Sequence, residues 1–219
     1  MPERRRLGAG ALALLLLAAA GQAAPPPEAR ELIGKARAAV ARGDGLGAEV
    51  LLRRARARGA EEGDVASLLG QAFLLQGDTR KAREWLTRPD LAKADAASGA
   101  RALGVLEHRE GRLPEAGRAF DRALAATPRE AGLWVDIARL RYAGGEHAKA
   151  IEAVDHALSL DPAHPRALEA KAQLVRDQFG LAPSLRWFAA GLAAAPDDLS
   201  LLADHAATLG DLREGEAML

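Results

Sequence analysis

The residue types that most often carry out chemistry are few in this 219-residue chain, and none lies in a catalytic spacing. The chain contains five histidines, five serines and no cysteine. No serine lies in the G-x-S-x-G pattern that holds a nucleophile on a strand-to-helix turn, and no histidine pair has the HExxH spacing of a zinc protease. The lack of cysteine excludes disulfides, thiolate metal ligands and thiol nucleophiles. The sequence therefore predicts no enzyme activity, no metal site and no cofactor.

Two acidic segments and one glycine-rich segment have structural interpretations instead. The acidic residues of 61–64 and of 197–198 stand at predicted helix starts, where carboxylates accept hydrogen bonds from free backbone amides. The glycine-rich segment 43–47 lacks the preceding strand and the lysine of a phosphate-binding loop. We interpret the acidic residues as helix caps and the glycines as a turn between helices.

The composition favours helices and a neutral surface. Aromatic residues make up only 4% of the chain, and its apolar residues are mostly alanine and leucine, which form helices readily and strands poorly. Basic and acidic residues number 30 each, so the chain has no net field that would attract nucleic acid or an anionic membrane. An all-α fold is expected, with no nucleic-acid partner.

The first 24 residues have the organisation of a secretory signal peptide. Three arginines at 4–6 precede an apolar run over 7–20, and small residues follow before three prolines at 25–27. The apolar run is shorter than the roughly 20 residues that a membrane-spanning helix needs. We predict cleavage near Ala23 or Ala24, export to the periplasm or beyond by the general or the twin-arginine route, and no stable membrane span afterwards. A proline-rich spacer over 25–28 would then precede the first helix.

The remainder of the chain repeats with a period of 34 residues. Glycines occur at 43, 77, 111 and 145, and prolines at 128, 162 and 196. A second series holds only small residues, at 36, 70, 104, 138, 172 and 206. The period defines repeats over 29–62, 63–96, 97–130, 131–164 and 165–198, with a partial sixth over 199–219.

Each repeat has the pattern of two helices joined by a turn. Apolar residues recur every three or four positions on both sides of the glycine, and the late proline ends the second helix. No single helix pair can bury its apolar face alone, so consecutive repeats must stack. In the third and fourth repeats especially, the small residue at position 8, Gly at 15, Ala at 20 and Pro at 32 resemble the tetratricopeptide repeat (TPR) signature. The resemblance implies an all-α, right-handed superhelical solenoid with a concave groove.

Three departures from the signature carry structural expectations. Pro89 should end the second helix of the second repeat near Arg88, followed by an irregular connection over 90–97 and a local change of superhelical twist. The fifth repeat has Lys171 and Ser184 where Leu and Ala are expected. Residues 214–219 should lie within the second helix of the sixth repeat, with no polar capping helix after it. This end of the solenoid therefore suggests a longer protein or self-association through the last helix.

The resemblance also implies where a ligand would bind. In this family, peptides contact positions 2, 5, 9, 12 and 13 of the repeats, on the first helices. Here these positions include Arg37, Gln71, Arg101, His108, Arg109, Arg139, Tyr142, Arg166, Gln173 and Arg176. A basic groove of this kind favours an acidic or C-terminal peptide, because guanidinium groups bind carboxylates through paired hydrogen bonds. Alternatively, the arginines pair with acidic neighbours such as Asp136 and Glu169 and only solvate the groove.

The function expected from these observations is a non-catalytic scaffold that binds a protein or peptide partner in the bacterial cell envelope. The Lys and Asn residues with which chaperone-binding members hold a peptide carboxylate are absent from the groove positions. An alternative is the N-terminal targeting or regulatory arm of a longer enzyme, such as a glycosyl- or sulfotransferase. An RNA-reading helical repeat is disfavoured by the charge balance and the export signal.

Overall fold

The computed structural model describes residues 24–90 and 95–217, and this part of the chain consists of eleven α-helices without a strand. The predicted cleavage region and most of the signal peptide, residues 1–23, lie outside the described residues. The helices are α1 (Pro27–Ala41), α2 (Gly45–Ala57), α3 (Glu62–Leu75), α4 (Thr79–Leu86), α5 (Ala96–Arg109), α6 (Leu113–Ala126), α7 (Ala131–Ala143), α8 (His147–Leu160), α9 (Pro165–Phe179), α10 (Leu181–Ala194) and α11 (Leu199–Ala217). Consecutive helices pack in antiparallel pairs, and the first helices also pack on one another. The expected all-α solenoid is confirmed.

The periodic glycines are the turns between the two helices of a repeat. Gly43, Gly77, Gly111 and Gly145 all have φ between +75° and +80°, a conformation that other residues rarely adopt. In the first two repeats an aspartate follows and caps the next helix. The Asp44 carboxylate accepts a hydrogen bond from the backbone N–H of Gly47 at 2.7 Å.

The periodic small residues allow the two helices of a repeat to approach closely. A Cβ added to Gly70 would lie 2.4 Å from Cγ of Leu86, and one added to Gly104 would lie 2.4 Å from Cε1 of Phe120. The second helix therefore places a large side chain directly on the backbone of the first. This packing fixes the two helices of each repeat as one unit.

Substituting alanine for Gly104 tests this close packing. The new methyl group must displace the buried ring of Phe120, so we expect the free energy of unfolding to fall by about 1–3 kcal/mol despite the better helix propensity of alanine. Gly34→Ala in α1 is the matched control, because no atom lies within 4 Å of its added Cβ, and it should stabilise by about 0.5–1 kcal/mol. Urea denaturation followed by circular dichroism measures both. Equal shifts for the two variants would contradict the packing argument.

The second repeat is shortened as Pro89 predicts. α4 ends at Leu86, and α5 begins only at Ala96. The junction is held by Glu107 of α5, a buried carboxylate that accepts two hydrogen bonds from the Arg83 guanidinium of α4, at 2.5 and 3.2 Å. The change of superhelical twist expected at this junction remains a prediction.

The sixth repeat differs from its prediction. Residues 199–217 form one continuous helix, so residues 214–217 extend α11 and do not belong to a second helix. The reason is that neither Arg213, at the repeat position of the turn glycine, nor the following Glu214 is a glycine, whereas α9 ends at Phe179 because Gly180 follows it with φ +92°. The spacer also differs, because α1 begins at Pro27, within 25–28, where a proline at the first helical turn loses no hydrogen bond.

Candidate protein-binding groove

Two adjoining pockets, which together we call the groove, lie along the first helices of the repeats, from the end of α1 to the start of α11. The N-terminal pocket has a volume of about 680 Å³ and the C-terminal pocket about 420 Å³, and Arg139 lines both. Eight of the ten side chains expected to bind a ligand line the groove: Gln71, Arg101, Arg109, Arg139 and Arg166 in the N-terminal pocket, and His108, Arg139, Tyr142 and Gln173 in the C-terminal pocket. Arg37 and Arg176 lie outside it. Most of the side chains selected by their position in the 34-residue repeat therefore lie together in the structure.

Asp136 is the carboxylate that the arginines of the N-terminal pocket share. Its carboxylate is only 5% exposed and accepts hydrogen bonds from two arginines, from Nε of Arg101 at 2.7 Å and from Nη2 of Arg166 at 2.8 Å. Arg101 also contacts Glu130. One carboxylate of α7 thus ties α5 on one side to α9 on the other.

Glu169 has the same role in the C-terminal pocket. It is buried on α9, and its carboxylate accepts hydrogen bonds from Nη2 of Arg139 at 3.1 Å and from the Ser200 hydroxyl at 2.5 Å. It therefore connects α7 to α11. Arg101, Arg139 and Arg166 are therefore paired with carboxylates of neighbouring repeats, as the second interpretation expected.

The remaining polar side chains continue this ladder between neighbouring first helices. The Tyr142 hydroxyl donates to Asp177, and Nε2 of Gln173 donates to Asp204 at 2.7 Å. Outside the groove, Arg176 contacts the Thr208 hydroxyl at 3.4 Å, and Arg37 reaches Asp95 at 2.8 Å. Hydrogen bonds of these kinds fix the offset between stacked repeats and keep the groove side chains extended.

Arg109 is the exception. It is exposed at the end of α5, its Nη1 donates to the backbone carbonyl of Leu74 at 3.3 Å, and it forms no ion pair among the residues that the structure describes. Its neighbour His108 lines the C-terminal pocket, so the two side chains mark the junction of the pockets beside Arg139. Arg109 is thus a guanidinium group of the groove that has no ion-pair partner within the described chain.

The chain is similar to known tetratricopeptide repeat proteins in sequence and in structure. The tetratricopeptide repeat family model matches residues 108–174, the last two residues of α5 through most of α9. The crystal structure of a thermophilic TPR protein in Thermus thermophilus is similar, with a TM-score of 0.71, 23% identity, and coverage of 83% of this chain and 98% of that one. The fold is a tetratricopeptide solenoid.

Other TPR solenoids are similar over a comparable part of the chain. MamA 41-end from Desulfovibrio magneticus RS-1 has a TM-score of 0.57 at 15% identity, over 80% of this chain and 99% of that one. A chain of the APC/C hetero-tetramer Cut9-Hcn1 has a TM-score of 0.66 at 18% identity, over 83% of this chain and 36% of that one. No curated protein matches the sequence. TPR solenoids as a class mediate interactions between proteins.

Three groove residues were not singled out from the sequence although they occupy the repeat positions at which the family binds peptides. Ser98 and Ser200 stand at position 2, and Asp177 stands at position 13. Selecting mainly the basic, aromatic and amide residues at these positions left these three out. The repeat position alone, without regard to residue type, identifies them.

The surroundings of His108 predict a pH dependence of stability. Burial lowers the pKa of His108, and the charge of Asp136 opposes this while Arg139 and Arg109 add to it. Because the unfolded chain then binds a proton more readily than the folded chain, stability should decrease as the pH falls below about 6.5 until the lowered pKa is reached. We expect the Tm of His108→Gln to decrease less than that of the wild type across this range. An identical pH dependence of Tm in both proteins would contradict the prediction.

Proposed function

We propose that this chain is a non-catalytic scaffold that binds an acidic peptide, or an acidic segment of a partner protein, in the groove. The observation that carries the proposal is Arg109, an exposed cation at the junction of the two pockets without an ion-pair partner in the described chain. A guanidinium group binds a carboxylate through paired, charge-assisted hydrogen bonds. His108 and Arg139 stand beside this junction, where the imidazole offers hydrogen-bonding nitrogens and the guanidinium of Arg139 is shared with Glu169.

The dimensions of the groove suit an extended or helical peptide more than a small metabolite. Its two pockets are open and adjoin along the stacked first helices, and together they are lined by α3, α5, α7 and α9, with the end of α1 and the start of α11 at the two extremes. Apolar side chains such as Leu74, Val105 and Leu174 lie between the polar ones. A ligand with acidic residues spaced by apolar residues would satisfy both kinds of lining, because polar groups set orientation while apolar contacts supply affinity.

The proposed location is the cell envelope. It is supported by the order of basic, apolar and small residues over 1–24, which is typical of an export signal. Among the helices that the structure describes, none combines the length and the apolar character needed to cross a bilayer. Removal of residues 1–24 takes away three arginines and one glutamate, so the exported protein would stay close to neutral.

Peptide binding tests the proposed function. Fluorescence anisotropy with the purified protein should show that short peptides rich in Asp and Glu bind more tightly than peptides of the same length in which Asn and Gln replace them. Arg109→Glu should weaken binding of the acidic peptides by about tenfold or more, which corresponds to about 1.4 kcal/mol. The variant breaks no ion pair of the described chain, so the fold should be unaffected.

Arg122→Glu is the matched control for this experiment. Arg122 is also exposed and forms no ion pair among the described residues, but it lies on α6 and lines neither pocket of the groove. It should leave binding unchanged at moderate salt. Equal binding of acidic and neutral peptides, or equal losses in the two variants, would rule out a groove selective for acidic ligands.

A further inference from the structure

The last helix exposes side chains that the preceding repeat buries. Leu202, Ala206 and Leu209 of α11 lie 34 residues after Leu168, Ala172 and Val175 of α9. The three residues of α9 are buried, in the interface where α10 packs on α9. In α11, by contrast, Leu202 and Leu209 are 42% and 39% exposed, and Ala206 is exposed as well. The same face of the repeat is therefore covered in one helix and open in the next.

The open face is a continuous stripe with the spacing of a coiled-coil seam. Its members, at intervals of three and four residues, are Leu199, Leu202, Ala206, Leu209 and Arg213, all of them exposed. Another face of α11 already packs inside the solenoid through the buried Leu201 and Thr208. Leucines repeated at this spacing on a second, solvent-facing side are typical of a helix that pairs with another helix.

We propose that this stripe is the interface with a second copy of the chain, whose α11 packs against it in the antiparallel direction. The stripe is nearly symmetric about Ala206, with Leu202 four residues before it and Leu209 three after it, so an antiparallel partner brings Leu202 close to the second copy's Leu209 and places the two Ala206 residues at the centre. A contact of this kind is self-complementary, as two-fold symmetry requires. Small residues at the crossing point allow the backbones to approach, as Gly70 and Gly104 do within their repeats.

The charges at the two ends of the stripe favour the antiparallel direction. Asp197 and Asp198 precede the first turn of α11, and Arg213 lies near its other end. In an antiparallel pair, Arg213 of one copy comes next to the acidic pair of the other, whereas a parallel pair would place the two Arg213 side chains together. Antiparallel helices also align their macrodipoles favourably. Opposite charges at both ends of the stripe therefore favour the same antiparallel arrangement as the leucine contacts.

The interface lies away from the groove and is small. Ser200 and Asp204, on a different side of α11, bond to Glu169 and Gln173 of α9, so dimerisation leaves the groove open. A single helix pair buries less than the roughly 1,200–2,000 Å² of a stable interface, so the dimer should dissociate on dilution. The inference does not depend on what the groove binds.

Light scattering over a range of protein concentrations tests for the dimer. The mass of the wild type should rise from one chain towards twice that value as the concentration increases, and Leu202→Glu with Leu209→Glu should stay at the mass of one chain. Leu46→Glu with Val50→Glu is the matched control, because these residues are 68% and 49% exposed on α2, and it should still dimerise. All substituted residues are exposed, so circular dichroism should be unchanged. A wild type that stays monomeric at the highest concentration would overturn the proposal.

Cysteine crosslinking tests the direction of packing, and the chain contains no native cysteine to interfere. Under mild oxidation, Ala206→Cys should form a covalent dimer with itself. Leu199→Cys should not, but it should crosslink when mixed with Arg213→Cys. Self-crosslinking of Leu199→Cys as efficient as that of Ala206→Cys would contradict the antiparallel direction. Absence of crosslinks at all three positions would contradict the interface itself.

Discussion

Replacing Phe120 with alanine should lower the free energy of unfolding by about 3–5 kcal/mol, because a fully buried aromatic side chain would leave a cavity behind. The ring packs against the backbone of Gly104 and belongs to a small cluster that joins α5, α6 and α7. Of the two larger clusters, one spans α1 to α5 and the other α7 to α9. Loss of the ring should therefore also weaken the coupling between these halves, so that unfolding occurs in two transitions.

Calorimetry and urea denaturation measure both effects. Phe179→Ala is the matched control, because Phe179 is 63% exposed, and the change in its free energy of unfolding should remain within about 0.5 kcal/mol. A single cooperative transition in Phe120→Ala, lowered by no more than in the control, would show that the two halves are coupled through other contacts.

Asp136→Ala should have opposite effects on stability and on ligand binding. It removes the carboxylate that two arginines share, so we expect a loss of about 1–3 kcal/mol, less than for a fully buried ion pair because Arg101 and Arg166 remain partly exposed. The same change frees the Arg166 guanidinium and the Nε side of Arg101, which keeps its contact with Glu130, within the N-terminal pocket. Acidic peptides should then bind about tenfold more tightly, a gain of roughly 1.4 kcal/mol.

Glu115→Ala provides the comparison for this variant. Glu115 is partly exposed and pairs only with Arg118 on the surface of α6, among the residues that the structure describes, so its removal should change the free energy of unfolding by no more than about 0.5 kcal/mol and leave peptide binding unchanged. If Asp136→Ala lost stability without any gain in binding of acidic peptides, the groove arginines would act only as connections between repeats.

The helix boundaries of the solenoid were predictable because single residues near each boundary determine them. Each turn glycine determines the end of one helix by its own φ angle, and Pro89 shortens α4 by a steric effect that needs no tertiary context. The sixth repeat was mispredicted for the same local reason, since Gly180 follows Phe179 and ends α9, whereas neither Arg213 nor Glu214 is a glycine. The 34-residue period alone does not determine where α11 ends, because the residue type at the turn position decides whether the helix continues.

The pairing of the groove side chains was less predictable. The lattice indicated which residues face the concave side, but which carboxylate lies within reach of an arginine depends on the offset between stacked helices. Arg166 reaches back to Asp136 in the preceding repeat, whereas Arg37 reaches Asp95, 58 residues away. That offset results from the packing of all the side chains at the interface and is not encoded in any short segment.

The shared carboxylate of Asp136 joins three stacked helices through ion pairs between neighbouring repeats. Under the proposed function, an acidic ligand would compete with Asp136 for the same guanidinium groups. A ligand that took Arg166 from Asp136 would remove the ion pair between α7 and α9, and the packing of these two repeats would be expected to loosen. Occupancy of the groove would then be transmitted mechanically to both ends of the molecule.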